Sequence, residues 1–327
     1  MRLALNEAWK YQFLTYPNPA VGAAVVNGCG ALVGIGAHKE AGKPHAEVLA
    51  IRDAYAAISG DRTLNECEDA AFLHKELASR CGTIFNDCTI YVTLEPCNHT
   101  GRTPPCASLI EKLGFKRVVV GSADPNPHAA GGAARLKSAG VEVVEGVEIE
   151  ACDNLLEPFK RWQNGRFVFF KLAQTLNGII DGGTISCSES RRWVHKVRTK
   201  IDTLVIGGRT VRIDRPVLDS RLVEGKAPDV QIFTRQNEKF DPDIPLFNVA
   251  GRKVHFGDRL PDSGLVMIEG GEGTLRALES RIDWMVLFVA PDLKEGTCYN
   301  GKKNFDIVHQ RRSGRDTMLF LKDRNSG

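Results

Sequence analysis

The chain has 327 residues, 43% of them apolar and 25% charged, and 43 Lys and Arg stand against 40 Asp and Glu for a formal charge of +3. That length allows two domains with their own cores, and the small, dispersed charge argues against nucleic acid or another polyanion as partner. No apolar run approaches membrane-spanning length, and nine cysteines without framework spacing are expected to be reduced thiols of a cytoplasmic protein.

The opening MRLALNEAWKYQFL carries Asn6, Glu7 and Lys10 within its apolar pattern, which predicts an amphipathic helix over 1–14 and not a signal peptide. Val21 to Val26 and Ala31 to Gly36 read as two strands joined by the turn Asn27-Gly28-Cys29-Gly30. A helix is expected to open near His45 and run through Val48, Leu49 and Ile51. Thr89 to Leu94 predicts a buried strand, Pro105 to Leu113 a helix with proline near its start, and Arg117 to Gly121 and Val141 to Val144 two more strands. Strands alternating with helices make residues 1–147 an α/β sandwich.

Residues 55–88 interrupt this alternation; their middle reads as a helix. The stretch is expected to be a solvated insertion in preference to a lid or a dimer element, with Cys67, Cys81 and Cys88 as ordinary thiols. Residues 148–165 read as a connecting helix containing Pro158, and a second alternating domain fills 166–327. Its strands are expected at Phe167 to Leu172, Thr203 to Ile206, Val230 to Phe233, Leu265 to Ile268 and Trp284 to Val289, with helices at Ser188 to Thr199 and Thr274 to Arg281. No internal repeat relates the two halves.

The chemistry of the first half is concentrated in His45-Ala46-Glu47, Glu95-Pro96-Cys97 and Pro105-Cys106. One imidazole and two thiolates are a three-ligand set for zinc, which leaves the fourth tetrahedral position for water and lowers that water's pKa. A glutamate two residues after the histidine, not itself a ligand, suits proton transfer to a leaving ammonia. His45, Cys97 and Cys106 are therefore the expected metal ligands and Glu47 the catalytic acid–base. Positions i and i+2 do not share a helix face, so His45 and Glu47 can reach one metal only from the helix's first turn, where Pro44 places them. Cytidine and tRNA-adenosine deaminases use C-x-x-C, whereas eight residues, NHTGRTPP, separate Cys97 from Cys106 here, which argues against a nucleic-acid base deaminase.

That loop resembles the one in the bifunctional riboflavin-biosynthesis deaminase/reductase family. The resemblance extends over Tyr16-Pro17-Asn18-Pro19-Ala20-Val21-Gly22, Ala41-Gly42-Lys43-Pro44-His45-Ala46-Glu47-Val48, Tyr91 to His99, Gly101 to Cys106 and Asp124-Pro125-Asn126-Pro127, in that order. It implies a cytidine-deaminase-like three-layer α/β/α domain containing one zinc. Its substrate would be a diamino-pyrimidinone carrying a phosphoribosylamino group, which loses its 2-amino group. Asn18 would bond the ring or its sugar, and His99, Arg102 and Thr103 would lie where the phosphate or ring passes; His99 equally suits a role in ordering the Cys97 loop. The family's habit makes a homo-oligomer the expectation, with no nucleic-acid or membrane partner.

From the residues alone, the second half offers two glycine turns after strands, Gly207-Gly208-Arg209-Thr210 and Glu269-Gly270-Gly271, which suit a nucleotide across a sheet edge. Lys171 to Gly178, Val194 to Arg198, Asp202, Gly207 to Val211 and Glu269-Gly270-Gly271 resemble the same family's reductase domain. That implies a dihydrofolate-reductase-like α/β fold taking hydride from NADPH to open the ribose to a ribityl chain. Lys171, Arg198, Leu218, Arg221 and Glu269 would face substrate, the two arginines suiting its phosphate; Gln174, Thr184, Thr210, Asp214, Gly270 and Gly271 would face NADPH. Three departures stand out: Asn177 in place of the usual Asp, a shortened and Trp-free segment after Gly178, and Arg215 in place of an acid. They motivate an alternative, a deaminase whose second domain is catalytically weak or serves binding or dimerisation. Trp193 lies near, one helix turn further on, and is expected to be a packing residue.

Overall fold

The structure, a computed structural model, describes residues 1–99, 104–235, 239–299 and 301–324. It divides into two compact units, Met1–Lys160 and Arg161–Gly327. Among the described residues no helix is long and apolar enough to cross a membrane.

The first unit runs α1 (Arg2–Trp9), β1 (Gly22–Val26), β2 (Leu32–Ala37), α2 (Ala46–Ser59), α3 (Ala70–Arg80), β3 (Thr89–Leu94), α4 (Cys106–Lys112), β4 (Arg117–Ser122), α5 (Gly132–Ser138), β5 (Glu142–Val144) and α6 (Ile149–Gln163). The last helix straddles the division and is continuous through Pro158. The sheet order is β2-β1-β3-β4-β5, antiparallel among β2, β1 and β3 and parallel from β3 to β5. Cross-strand register puts Ala23, Gly36, Val92 and Val120 on one face. Alternation then turns Gly22 and Gly121 to the other. A Cβ on Gly36 would meet Ala46 O at 2.7 Å, and one on Gly22 would meet Ala4 O at 2.0 Å. Helix α2 therefore covers one face and α1 the opposite one, joined there by α6, whose Cys152 lies against Gly121. The three-layer α/β/α arrangement follows.

Glycine matters most under α2. Gly34 and Gly36 lie beneath Ala46, Ala50 and Ala54, and a Cβ on Gly34 would come within 2.1 Å of Ala50 O. Small residues on both sides let the helix lie directly on the strand, with its first turn over the sheet's ligand-bearing end.

The segment 55–88 departs from expectation. It is not a solvated insertion: Leu64, Leu73, Leu77, Phe85 and Cys88 are 3% exposed or less and belong to the same core as α2 and β3. Leu73 and Leu77 share one face of α3 at i, i+4 spacing, and Phe85 stacks on Phe115 with ring centroids 4.8 Å apart. Asp69 caps α3 by accepting from Phe72 N at 2.8 Å. Burial raises the thiols of Cys81 and Cys88 to about 12 and about 11, as inert core cysteines require.

The second unit comprises β6 (Arg166–Thr175), α7 (Ser188–Arg198), β7 (Thr203–Gly207), α8 (Gly208–Asp214), β8 (Asp229–Phe233), β9 (Val254–Gly257), β10 (Gly264–Glu269), α9 (Glu272–Leu278), β11 (Trp284–Ala290), β12 (Phe305–Ser313) and β13 (Asp316–Asp323). They form one sheet in the order β12-β13-β11-β6-β10-β7-β8-β9. Strands β11, β6, β10, β7, β8 and β9 are parallel, and the β12–β13 hairpin closes one edge antiparallel. Trp193 packs as expected, 7% exposed and against Phe288 and Phe320.

Leu77→Ala is expected to destabilise the first unit by about 2–5 kcal/mol in urea unfolding. A change under about 0.5 kcal/mol would mean that 55–88 is peripheral after all.

Candidate functional site

Helix α2 begins immediately after His45, whose extended backbone (φ −70°, ψ 161°) makes it the N-cap. Its side chain therefore leaves the helix end sideways, while Glu47 sits in the first turn. Strand β3 delivers Cys97 just beyond its C-terminal end, and Pro105 caps α4 so that Cys106 is that helix's first residue. His45 Nδ1 lies 3.6 Å from Cys97 Sγ and 3.4 Å from Cys106 Sγ, and the three donor atoms all lie within 4.8 Å of one another. Donors bonded to a tetrahedral zinc at about 2.0–2.3 Å stand roughly 3.5–3.8 Å apart, so the donor chemistry and the spacing fit that ion. Cys106 N–H also donates to Cys97 Sγ at 3.4 Å. The Cys106 thiol is the main cause, and His45 a further one, that pulls Cys97 down to about 4. Cys106, which retains the hydrogen it shares with Cys97 and is buried, is pushed up.

Glu47 is 4% exposed. Burial raises its pKa to about 7, against the pull of His45.

Three supports around this centre were not assigned from sequence. His38 Nε2 lies 3.1 Å from Asn18 Nδ2 and its Nδ1 3.1 Å from Pro44 O, and its ring meets that of His45 edge-on. Burial lowers its pKa to about 4, so it is neutral at pH 7. Asn18 is thus joined to the metal cluster through a neutral imidazole. Glu95, in the motif but without an assigned role, accepts from Gly131 N, Ala133 N and Asp124 N at 3.0, 2.9 and 3.2 Å. It ties the end of β3 to the loop before α5. His74 on α3 reaches Pro105 O at 3.3 Å, so the inserted segment touches the residue that precedes Cys106. His99 is exposed, and Arg102 and Thr103 lie outside the described residues.

The second unit has a cavity of about 1180 Å³ at the C-terminal ends of its parallel strands. This is where open α/β sheets bind ligands, and the volume exceeds the roughly 300–1,000 Å³ of single-ligand pockets. The β6–β10 register sets Lys171 beside Glu269. Glu269 Oε1 accepts from Arg198 Nε and Nη2 at 2.9 and 2.7 Å, and its Oε2 lies 3.7 Å from Lys171 Nζ. Burial works to raise the Glu269 carboxyl, but Arg198 and Lys171 outweigh it and keep the pKa below the usual value.

Lys171, Thr184, Arg198, Thr210, Asp214, Leu218, Arg221, Glu269, Gly270 and Gly271 all line this cavity. Gln174 is not among the described lining residues, although Lys171, Leu172 and Ala173 of the same strand are. Arg198 is not free for a phosphate, since it is committed to Glu269 and to Asp219 O at 3.0 Å. Arg221, with a side chain 61% exposed and its Nη1 3.4 Å from Asp219 Oδ2, opens to the cavity, as do the exposed Arg191 and Arg209. The two glycines of the β10 turn also differ. A Cβ on Gly270 (φ +155°) would strike Thr274 Oγ1 at 2.6 Å, whereas one on Gly271 would meet nothing within 4 Å. Gly270 serves helix packing and Gly271 leaves the cavity wall open.

The departures are accommodated. Asn177 Nδ2 donates to Lys294 O at 2.7 Å while its Oδ1 accepts from Lys294 N at 3.2 Å, a two-way bond that an aspartate could not make. The shortened stretch from Ile180 to Ser186 still lines the cavity. Arg215 ends α8 in the left-handed conformation and pairs with Asp241 at 2.6 Å.

Residues 1–122 match the family model of the cytidine and deoxycytidylate deaminase zinc-binding region, and residues 166–254 match that of the RibD C-terminal domain. The riboflavin biosynthesis protein RibD of Aquifex aeolicus is 33% identical over 341 residues, covering 90% of this chain and 86% of that protein. The Synechocystis protein of the same name is 42% identical over 212 residues, covering 62% of this chain and half of that protein. The crystal structure of a diaminohydroxyphosphoribosylaminopyrimidine deaminase/5-amino-6-(5-phosphoribosylamino)uracil reductase from Thermotoga maritima superposes with a TM-score of 0.64 at 27% identity, covering 99% of this chain and 97% of that one. An Acinetobacter baumannii RibD structure gives 0.63 at 26% identity.

Cys97→Ala is expected to lose bound zinc in elemental analysis of the purified protein, since ligand sites couple metal to folding. Full occupancy in that variant would mean that Cys97 is not a ligand.

Proposed function

The chain belongs to the bifunctional RibD family of riboflavin biosynthesis, and from that premise we propose that it removes ammonia from a phosphoribosylamino diamino-pyrimidinone and then reduces the ribosyl chain with NADPH. The observation that carries the first step is the convergence of His45 Nδ1, Cys97 Sγ and Cys106 Sγ with Glu47 buried beside them. Zinc held by those three residues supplies the Lewis acidity that makes water nucleophilic at neutral pH. Glu47 takes a proton from the attacking water and delivers it to the departing amino group, so that a carbon–nitrogen bond is exchanged for a carbonyl and ammonia leaves. Asn18, oriented by neutral His38, bonds the pyrimidinone or its sugar.

For the second step, NADPH supplies the reducing equivalent. The cavity has room for the dinucleotide beside the substrate, with Gly271, Thr210 and Asp214 on the dinucleotide side. Lys171 faces the opening ribose, and Glu269 and Arg198 hold Lys171 and the wall at Asp219 in place. Arg221 takes the substrate phosphate, a task suited to a guanidinium's fork geometry. The shortened stretch from Ile180 to Ser186 still lines the cavity beside Lys171 and Glu269, which supports an active reductase over a second domain limited to binding.

Glu47→Gln is expected to keep its zinc and lose ammonia release by about 10²-fold or more; near-normal turnover would remove Glu47 from proton transfer. Lys171→Ala is expected to spare ammonia release and impair NADPH oxidation when both are followed in one reaction. Ammonia without NADPH oxidation in the unaltered protein would instead leave a deaminase alone.

A further inference from the structure

The cavity wall from Val217 to Val223 belongs to no helix or strand, yet its peptide groups are held from three directions. His195 Nδ1 accepts from Leu222 N at 3.5 Å, and Arg198 donates to Asp219 O at 3.0 Å. The third support is Arg252, on the loop before β9. Its guanidinium donates to Val217 O at 2.6 Å, to Pro228 O at 2.9 Å, to Leu218 O and, at a longer 3.4 Å, to Leu246 O. All four acceptors are main-chain carbonyls, and Arg252 itself does not line the cavity.

What Arg252 holds is strained. Leu218 has φ +57°, three residues after Arg215 at φ +43°. A leucine stays in the left-handed region only where its surroundings over-determine it. Leu218 is 8% exposed and lines the cavity. A guanidinium suits this task because its donors diverge in a rigid plane, so that one side chain can reach several carbonyls together. Lysine's single nitrogen, on a flexible stem, cannot span the same set.

We propose that Arg252 is a positioning residue of the reductase site, clamping the carbonyls of Val217 and Leu218 so that Leu218 and the following Arg221 are presented to substrate. This rests on the reductase reading above, and the test separates the two. Full-length Arg252→Met keeps the unbranched apolar stem and removes the donors, and Arg252→Lys keeps stem and charge. Amide hydrogen exchange at Leu222 and Val223 is expected to accelerate at least tenfold in Arg252→Met and less in Arg252→Lys. The KM for the deaminated substrate is expected to rise about tenfold with kcat within about threefold, while ammonia release in the same chain stays unchanged and reports an intact fold. Wild-type protection of those amides in Arg252→Met overturns the clamp whether or not the protein reduces anything. Faster exchange with an unchanged KM overturns the positioning role. If the unaltered protein oxidises no NADPH, the reductase reading and the positioning role fail together, and exchange alone then decides the clamp. Should Arg252→Met also lower ammonia release, Arg252→Lys carries the same comparisons.

Discussion

Everything at the metal cluster depends on how closely α2 approaches β2. His45 is separated by more than fifty residues from Cys97, and the donor atoms must meet within a few ångströms. Gly34 and Gly36 beneath Ala46, Ala50 and Ala54 remove the side chains that would lift the helix off the sheet. That fixes the helix start in height, and the extended N-cap geometry of His45 then aims the imidazole at the sulfurs. Strand β3 and Glu95 set the other half. With one carboxylate accepting three main-chain N–H groups, Glu95 anchors the turn that carries Cys97.

The second unit solves a different problem, keeping charge buried at the wall of a large cavity. Lys171, Arg198 and Glu269 form a nearly buried cluster with two cations to one anion. Removing a single partner from such a set leaves an uncompensated buried charge, which costs more than the pair itself contributes. Arg198 therefore acts on the wall as much as on any ligand, since the guanidinium that satisfies Glu269 also holds Asp219 O.

The inserted segment changes the character of the first unit. Its apolar residues share one core with α2, β3 and α4, and His74 reaches the carbonyl of Pro105. A segment read as solvent-facing thus supports the approach to a metal ligand. The spacing of Leu73, Leu77 and Phe85 was visible in the sequence, but the same spacing fits a peripheral amphipathic helix, and only a partner surface distinguishes the two. The β12–β13 hairpin was not anticipated either, although buried Met318 and Phe320 alternate with the more exposed Thr317 and Leu319 in the manner of a strand with one face buried.

Local chemistry was determined by the sequence. The ligand types, the glutamate two residues after the histidine, the strands β1 to β4 and the glycine turns all follow from residue identity over a few positions, because capping, alternation and ligand preference are short-range properties. The tertiary structure decided what depends on distance between remote segments. It raised the Glu47 carboxyl by burying it, neutralised His38, committed Arg198 to Glu269 and left Arg221 open, and placed Arg252 behind Leu218. Burial and long-range pairing are set by the whole packed chain, so no short stretch of sequence carries them.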